Sequence, residues 1–330
     1  MSVDALQRAI AAVDPEALAR YLADQRWFGA KGRAIADAAL VEVAPLPGDD
    51  EPAAFTRVAV RVADGGALAL QLPLALRRDG PEPTRARAST PPASKPPPAP
   101  DPSPSRGPSL PPSATGALVD ATGRPGFHRQ LGRLLAQGAG VAGPESRWEC
   151  EPLADLAALP DLPARLGEGE QSNTSIIYGD CAIFKLYRRL ERGPNPDVEI
   201  ARFLTTRTDF RGTPPLLGVL HLRAPRGDAV AGMLQAYERG AVDGWNHVLA
   251  RLRADADPAR RDAELERLGA LTRELHVALA SADDDPEFAP EPTRDGDLER
   301  WQAAAAARLA AALERLDVQK DSLAPPVAAS

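Results

Sequence analysis

Apolar positions in the first two dozen residues recur at helical spacing. Leu6, Ile10 and Val13 form one stripe, and Leu18, Tyr21 and Leu22 form another beyond Pro15, so a helix broken at that proline is predicted over 4–24. The segment RWFGAKGR (26–33) reads as a turn. Three apolar runs follow at 39–43, 56–62 and 68–74, the second alternating at Val58, Val60 and Val62, which predicts a small antiparallel sheet. Further along, 117–119 is a short apolar stretch, 125–137 a helix, and the region of Trp148 a strand. Strands at 176–178 and 181–187 meet at Gly179 and Asp180, and a second pair, 216–222 and 230–237, turns at Arg226, Gly227 and Asp228. From Trp245 onward the period becomes helical. Trp245, Val248, Leu249 and Leu252 make one stripe, Leu265, Leu268, Leu271 and Leu275 a second, and an Ala-rich helix spans 298–316.

Between residues 77 and 113 this order stops. Thirteen prolines fall between Pro81 and Pro112, a composition that supports neither ladder nor helix and reads as a solvated, disordered spacer. The expected organisation is an N-terminal subdomain over 1–76, the proline-rich insert over 77–113, a mixed lobe over 114–240 and the first helices of a further lobe over 241–330. The fold class is α+β.

Charge and cysteine usage narrow the function. With 39 Lys+Arg against 46 Asp+Glu the net charge is −7, and no basic block exists to track a phosphate backbone, so nucleic acid and anionic membrane are not expected partners. Cys150 and Cys181 are too few for a disulfide framework and have no metal-ligand spacing with the four histidines. No run approaches the roughly 20 apolar residues of a membrane span, and the N-terminus lacks a signal-like apolar core, so a cytoplasmic protein is expected.

The chemistry concentrates between Gly167 and Leu204. A polar loop, 167–175, carries Ser172, Asn173, Thr174 and Ser175, whose hydroxyls and turned amides suit an anion. Alternation along 181–187 puts Cys181, Ile183, Lys185 and Tyr187 on one face, where a lysine among apolar side chains calls for an anionic partner, although an edge-strand lysine reaching solvent has the same pattern. Asn195 and Pro196 start a helix that places Glu199 one turn in. Glu199 suits the lysine, or simply complements the helix N-terminus as Asp197 equally does. Loop, strand lysine and helix carboxylate in this order form an ATP clamp of the kinase N-lobe type. Backbone groups near Gln235 and Tyr237, at the passage to the helices, are candidates to read an adenine edge.

RWFGAKGR, GEQSNTSIIYGD, FKLYRRL, GPNPDVEIARFL, the VDGW segment and LGALTRELHVALA together resemble the bacterial maltokinase family, with glucosamine kinases as the nearest alternative. The resemblance implies a protein-kinase-like N-lobe with an N-terminal cap subdomain, followed by an incomplete helical C-lobe. It also implies ATP with Mg2+ as cofactors, and phosphorylation of maltose at its anomeric hydroxyl for α-glucan or trehalose metabolism, with trehalose synthase as a partner. By matching positions Ser172–Ser175 fall in the phosphate loop, Lys185 is the nucleotide lysine and Glu199 its partner, while Trp27 and Lys31 lie in the cap motif. The family's catalytic loop with a His-Gly-Asp run, and its metal-binding carboxylates, have no counterpart here, and the Asp209–Gly212 string lies too early in the chain to supply them. The expectation is therefore a chain that stops short of the catalytic loop, with an ATP-binding or trehalose-synthase-docking remnant as the non-catalytic alternative.

Overall fold

The computed structural model describes residues 2–28, 34–48, 51–77, 110, 116–167, 172–253 and 258–319. Lys31, most of the proline-rich insert and the loop residues 168–171 lie outside them. Contacts divide the chain into two units, Met1–Leu275 and His276–Ser330.

The first unit opens with two short helices, α1 (Val3–Ala11) and α2 (Pro15–Ala23), each with a side-chain cap: Ser2 accepts from the Ala5 amide and Asp14 from the Ala17 amide. The expected stripes hold them on a sheet of β1 (Ile35–Pro45), β2 (Ala53–Val62), β3 (Ala67–Gln71), β4 (Leu74–Arg77) and β5 (Ala117–Asp120), with Leu6, Ile10, Leu18 and Leu22 buried against Val58, Val60, Leu70 and Leu72. The run at 68–74 is thus two strands rather than one, because Pro73 supplies no amide to a ladder. β5, from the far side of the insert, pairs with β4 and completes this sheet.

Helix α3 (Pro125–Gln137) follows, ended by Gly138 in the left-handed region (φ 60°). The second sheet contains β6 (Gly140–Ala142), β7 (Arg147–Pro152), β8 (Ala164–Leu166), β9 (Asn173–Tyr178), β10 (Ala182–Tyr187), β11 (Leu216–Arg223) and β12 (Ala229–Ala236) in the spatial order β6-β7-β11-β12-β10-β9-β8, all antiparallel. One face packs on α3 and the first sheet through Phe55, Phe127, Trp148, Ile176 and Phe184. The Phe55 ring stacks on Trp148 and meets Phe127 edge-on, which adds directional preference to area burial. The other face carries α4 (Pro196–Arg207), whose Val198 and Ala201 pack on Tyr187, Leu216, Val219 and Met233.

The two sheets are joined by hydrogen bonds as well as by the core. The chain just past β10 runs beside β3: the Gln71 amide donates to the Arg188 carbonyl at 2.7 Å and the Leu190 amide to the Ala69 carbonyl at 2.8 Å. The Gln71 side chain, fully buried, donates to the Tyr187 and Ala231 carbonyls and accepts from Trp148 Nε1. Three buried groups that would each cost about 1–3 kcal/mol unpaired are satisfied by one amide.

Helices α5 (Gly244–Arg253) and α6 (Pro258–Leu279) carry the expected stripes, but Trp245, Val248, Leu265 and Leu268 are exposed. Periodicity reports that a segment is helical and amphipathic; it does not report what covers the stripe. In the second unit α7 (Asp297–Gln319) matches the Ala-rich helix and begins at Asp297, whose carboxylate accepts from the Arg294 amide.

Candidate nucleotide site

Strand alternation sorts the candidate residues between two faces. In the β9–β10 pair Lys185 lies opposite Ser175, Tyr187 opposite Asn173 and Ile183 opposite Ile177, so these six share the face that carries α4. Thr174 lies opposite Leu186 on the other face, and its hydroxyl accepts from Arg188 Nε at 2.8 Å. The phosphate-loop role expected for Thr174 is therefore not available on the lysine's side. Ser172 accepts a bond from the Asn173 side-chain amide and is exposed.

Ser175 is buried, and among the described residues its hydroxyl has no hydrogen-bond partner. Its carbonyl accepts from the Gly167 amide at 2.8 Å, and a side chain at position 167 would come within 3.1 Å of the Ser175 Cβ, so glycine permits this close approach. A buried hydroxyl left free beside a lysine is the kind of unsatisfied donor that a bound anion completes.

Lys185 Nζ lies 2.9 Å from Asp197 Oδ2 and 5.7 Å from the centre of the Tyr187 ring. The Tyr187 hydroxyl donates to the same carboxylate oxygen at 3.3 Å. The helix carboxylate that meets the lysine is thus Asp197 and not Glu199, which corrects the pairing expected from the sequence. The reason is the start of α4. Asn195 caps it through the Asp197 amide and Pro196 occupies its first turn, so Asp197 emerges at the end nearest β10, and Glu199, two residues on, leaves on the other side of the helix.

Gln235 and Tyr237, the adenine-reading candidates, stand at the end of β12 and just beyond it. Gln235 lies inside the ladder, opposite Ile183 on β10 and Leu216 on β11, and its side chain donates to the Pro214 carbonyl. The Tyr237 amide donates to the Cys181 carbonyl at 2.9 Å, so that donor is already used.

Two clusters had no clear signal in the sequence. Arg188 is buried, with its guanidinium on Asp120 (2.7 Å), Thr122 (3.1 Å) and Thr174, and 4.6 Å from the centre of the Trp27 ring in the cap motif. In FKLYRRL it is one of two successive arginines, and nothing local distinguishes it from the exposed Arg189. On the α4 face Glu151 accepts two bonds from Arg202 (2.7 and 2.6 Å) and lies 2.9 Å from His221 Nε2. The Arg202 bonds, helped by His221, hold the Glu151 carboxyl well below the usual range, at about 2, against the opposing effect of burial.

Among the described residues no three His, Cys, Asp or Glu side chains gather in a way that could hold a metal ion. The described residues do not by themselves form a magnesium site. Asp209, exposed in the turn after α4, pairs loosely with Arg211. Among the described residues no helix is long and apolar enough to cross a membrane.

The fold can be placed by solved structures. A glucosamine kinase in complex with glucosamine, ADP and inorganic phosphate superposes over 91% of this chain and 61% of its own, with a TM-score of 0.50 and 20% identity. A second glucosamine kinase crystal form gives 0.51 over the same shares at 22% identity. The fold is kinase-like, of mixed helices and antiparallel sheets.

Sequence comparison narrows the class. Residues 21–93 match the maltokinase N-terminal cap domain, so the chain carries that domain at its start. Among curated proteins it is similar to the glucosamine kinases of Mycolicibacterium smegmatis (31% identical over 143 residues, 41% of this chain and 33% of the relative) and Streptacidiphilus jiangxiensis (32% over 130 residues, 37% and 29%). The matches thus span about a third of the length of these curated relatives.

Proposed function

We propose that this chain provides the nucleotide-holding part of a sugar kinase, with ATP as phosphoryl donor. The observation that carries the reading is the pairing of Lys185 with Asp197 on the same sheet face as the buried, unpartnered Ser175 hydroxyl. Phosphates entering there would meet an ammonium group already oriented by a carboxylate, and the Ser175 hydroxyl. ATP supplies the phosphoryl group; Lys185 offsets charge on the phosphates, and Asp197 holds Lys185 in place. Magnesium enters this reading only as the counter-ion of the nucleotide, and no step is assigned to it.

The cap domain favours maltose, with transfer to its anomeric hydroxyl giving maltose 1-phosphate and ADP in the cytoplasm, and a trehalose synthase as the enzyme handling the same disaccharide. Glucosamine is the second reading, favoured by the similarity to two glucosamine kinases. The test is ATP turnover by the 330-residue chain with each sugar. Sugar phosphate formed from maltose alone supports the first reading and from glucosamine alone the second. Nucleotide binding without turnover on either sugar supports a non-catalytic ATP-binding module. Absence of nucleotide binding overturns all three.

A further inference from the structure

Helix α4 buries Val198, Ala201, Phe203 and Leu204, and of these Val198 and Ala201 enter the cluster with Tyr187, Leu216, Val219, Val230 and Met233 on the second sheet. Apolar burial is non-directional: it holds the helix in place but discriminates weakly between small rotations about its axis. Polar contacts supply the direction. At the N-terminal end Asp197 reaches Lys185 on β10, in the middle Arg202 grips Glu151 on β7 with two bonds, and further along Thr205 accepts from the Leu216 amide at 2.9 Å.

β7 and β10 are separated by β11 and β12, so the two ion pairs are anchored on strands about 14 Å apart. A helix tied to both cannot rotate or translate without breaking one of them. We propose that Arg202 and Glu151 are positioning residues for the nucleotide lysine: their bidentate pair sets the azimuth of α4 and thereby keeps Asp197 on Lys185. The planar guanidinium fork suits this role, since two parallel bonds fix direction as well as distance. His221 supports the carboxylate from β11 at 2.9 Å, so Glu151 is itself held on two sides. This inference rests on the nucleotide-site reading given above.

The test is a cycle of variants of the full 330-residue chain, with ADP affinity measured by titration calorimetry. Arg202→Met keeps the aliphatic stem and removes the fork; it is expected to weaken ADP binding roughly tenfold in the otherwise unchanged protein. In a Lys185→Ala background the same substitution should cost less than about twofold, because the helix then has no lysine to position. Equal losses in both backgrounds, or no loss in either, would overturn the proposal. Glu151→Gln, nearly isosteric, should reproduce the pattern and replaces Arg202→Met should that variant fail to fold by circular dichroism. The nucleotide-site reading fails separately, and takes the proposal with it, if Lys185→Ala alone leaves ADP affinity unchanged.

Discussion

Lys185 Nζ contacts Asp197 Oδ2 at 2.9 Å, while Glu199, about 200° further around the same helix, faces away from it. Asp197→Asn should therefore weaken nucleotide binding in step with Lys185→Ala, by about tenfold, as expected for losing a charge-assisted contact. Glu199→Gln should stay within about twofold. With side-chain exposures of 28% and 53% the pair contributes under about 1 kcal/mol to folding, so calorimetric affinity, not the melting temperature, is the readout.

Among the described residues Arg188 is the largest buried cation, and its carboxylate partner Asp120 comes from the other sheet. Asp120→Asn leaves that cation uncompensated and should cost about 3 kcal/mol in urea unfolding. Adding Arg188→Met removes the stranded charge, so the double variant should be more stable than Asp120→Asn alone. A double variant that is less stable would show that Arg188 acts mainly through Thr174 and Trp27.

Gly232 lies on β12 opposite Leu186, and a Cβ there would fall 2.5 Å from the Phe184 ring and 2.9 Å from the Lys185 carbonyl oxygen. Gly232→Ala must displace the lysine strand or a fully buried ring. The expected cost is about 1–3 kcal/mol in stability, with a loss of ADP affinity that the exposed control Gly269→Ala, where a Cβ meets nothing within 4 Å, does not show. Paired denaturation and binding measurements check both.

Acid should destabilise the first unit in two windows. His128 is buried with Nε2 on the Thr122 carbonyl, and burial pushes its imidazole below the ordinary 6.5. The unfolded chain therefore binds the proton more readily, and the stability due to neutral His128, present above 6.5, is lost as pH falls below it. Glu151, held at about 2 by Arg202 rather than the ordinary 4.5, contributes above 4.5 and loses its contribution as pH falls through about 2. Urea midpoints followed from pH 8 to pH 2 should decline in both ranges. His128→Asn should flatten the upper decline and Glu151→Gln the lower.

The elements with their own period were legible in the sequence, and the pairings between distant residues were not. Helix α3 runs over the predicted 125–137, and the β9–β10 hairpin turns at Gly179 and Asp180 as expected, because spacing, a first-turn proline and turn residues are local properties. The lysine's face was readable from alternation. Its partner was not, since Asp197 and Glu199 both lie in the first turn of α4 and only the angle of the helix on the sheet separates them. Thr174 looked equivalent to Ser175 in a polar loop until strand pairing gave them opposite faces. Arg188 finds Asp120 across 68 positions and Gln71 finds the Ala231 carbonyl across 160, and no local pattern encodes either contact.

The hydrogen bonds of Gln71 also bear on how the chain is made. Its edge of the first sheet is complete only when Tyr187, Arg188 and Ala231 have been synthesised, so during translation the N-terminal strands wait for well over a hundred further residues. Non-local closures of this length slow folding and keep strand edges open to wrong partners in the interval. Domain transplantation meets the same obstacle: moving residues 1–77 alone leaves a buried amide without its acceptors, and the natural exchangeable piece runs from the first helix through β12.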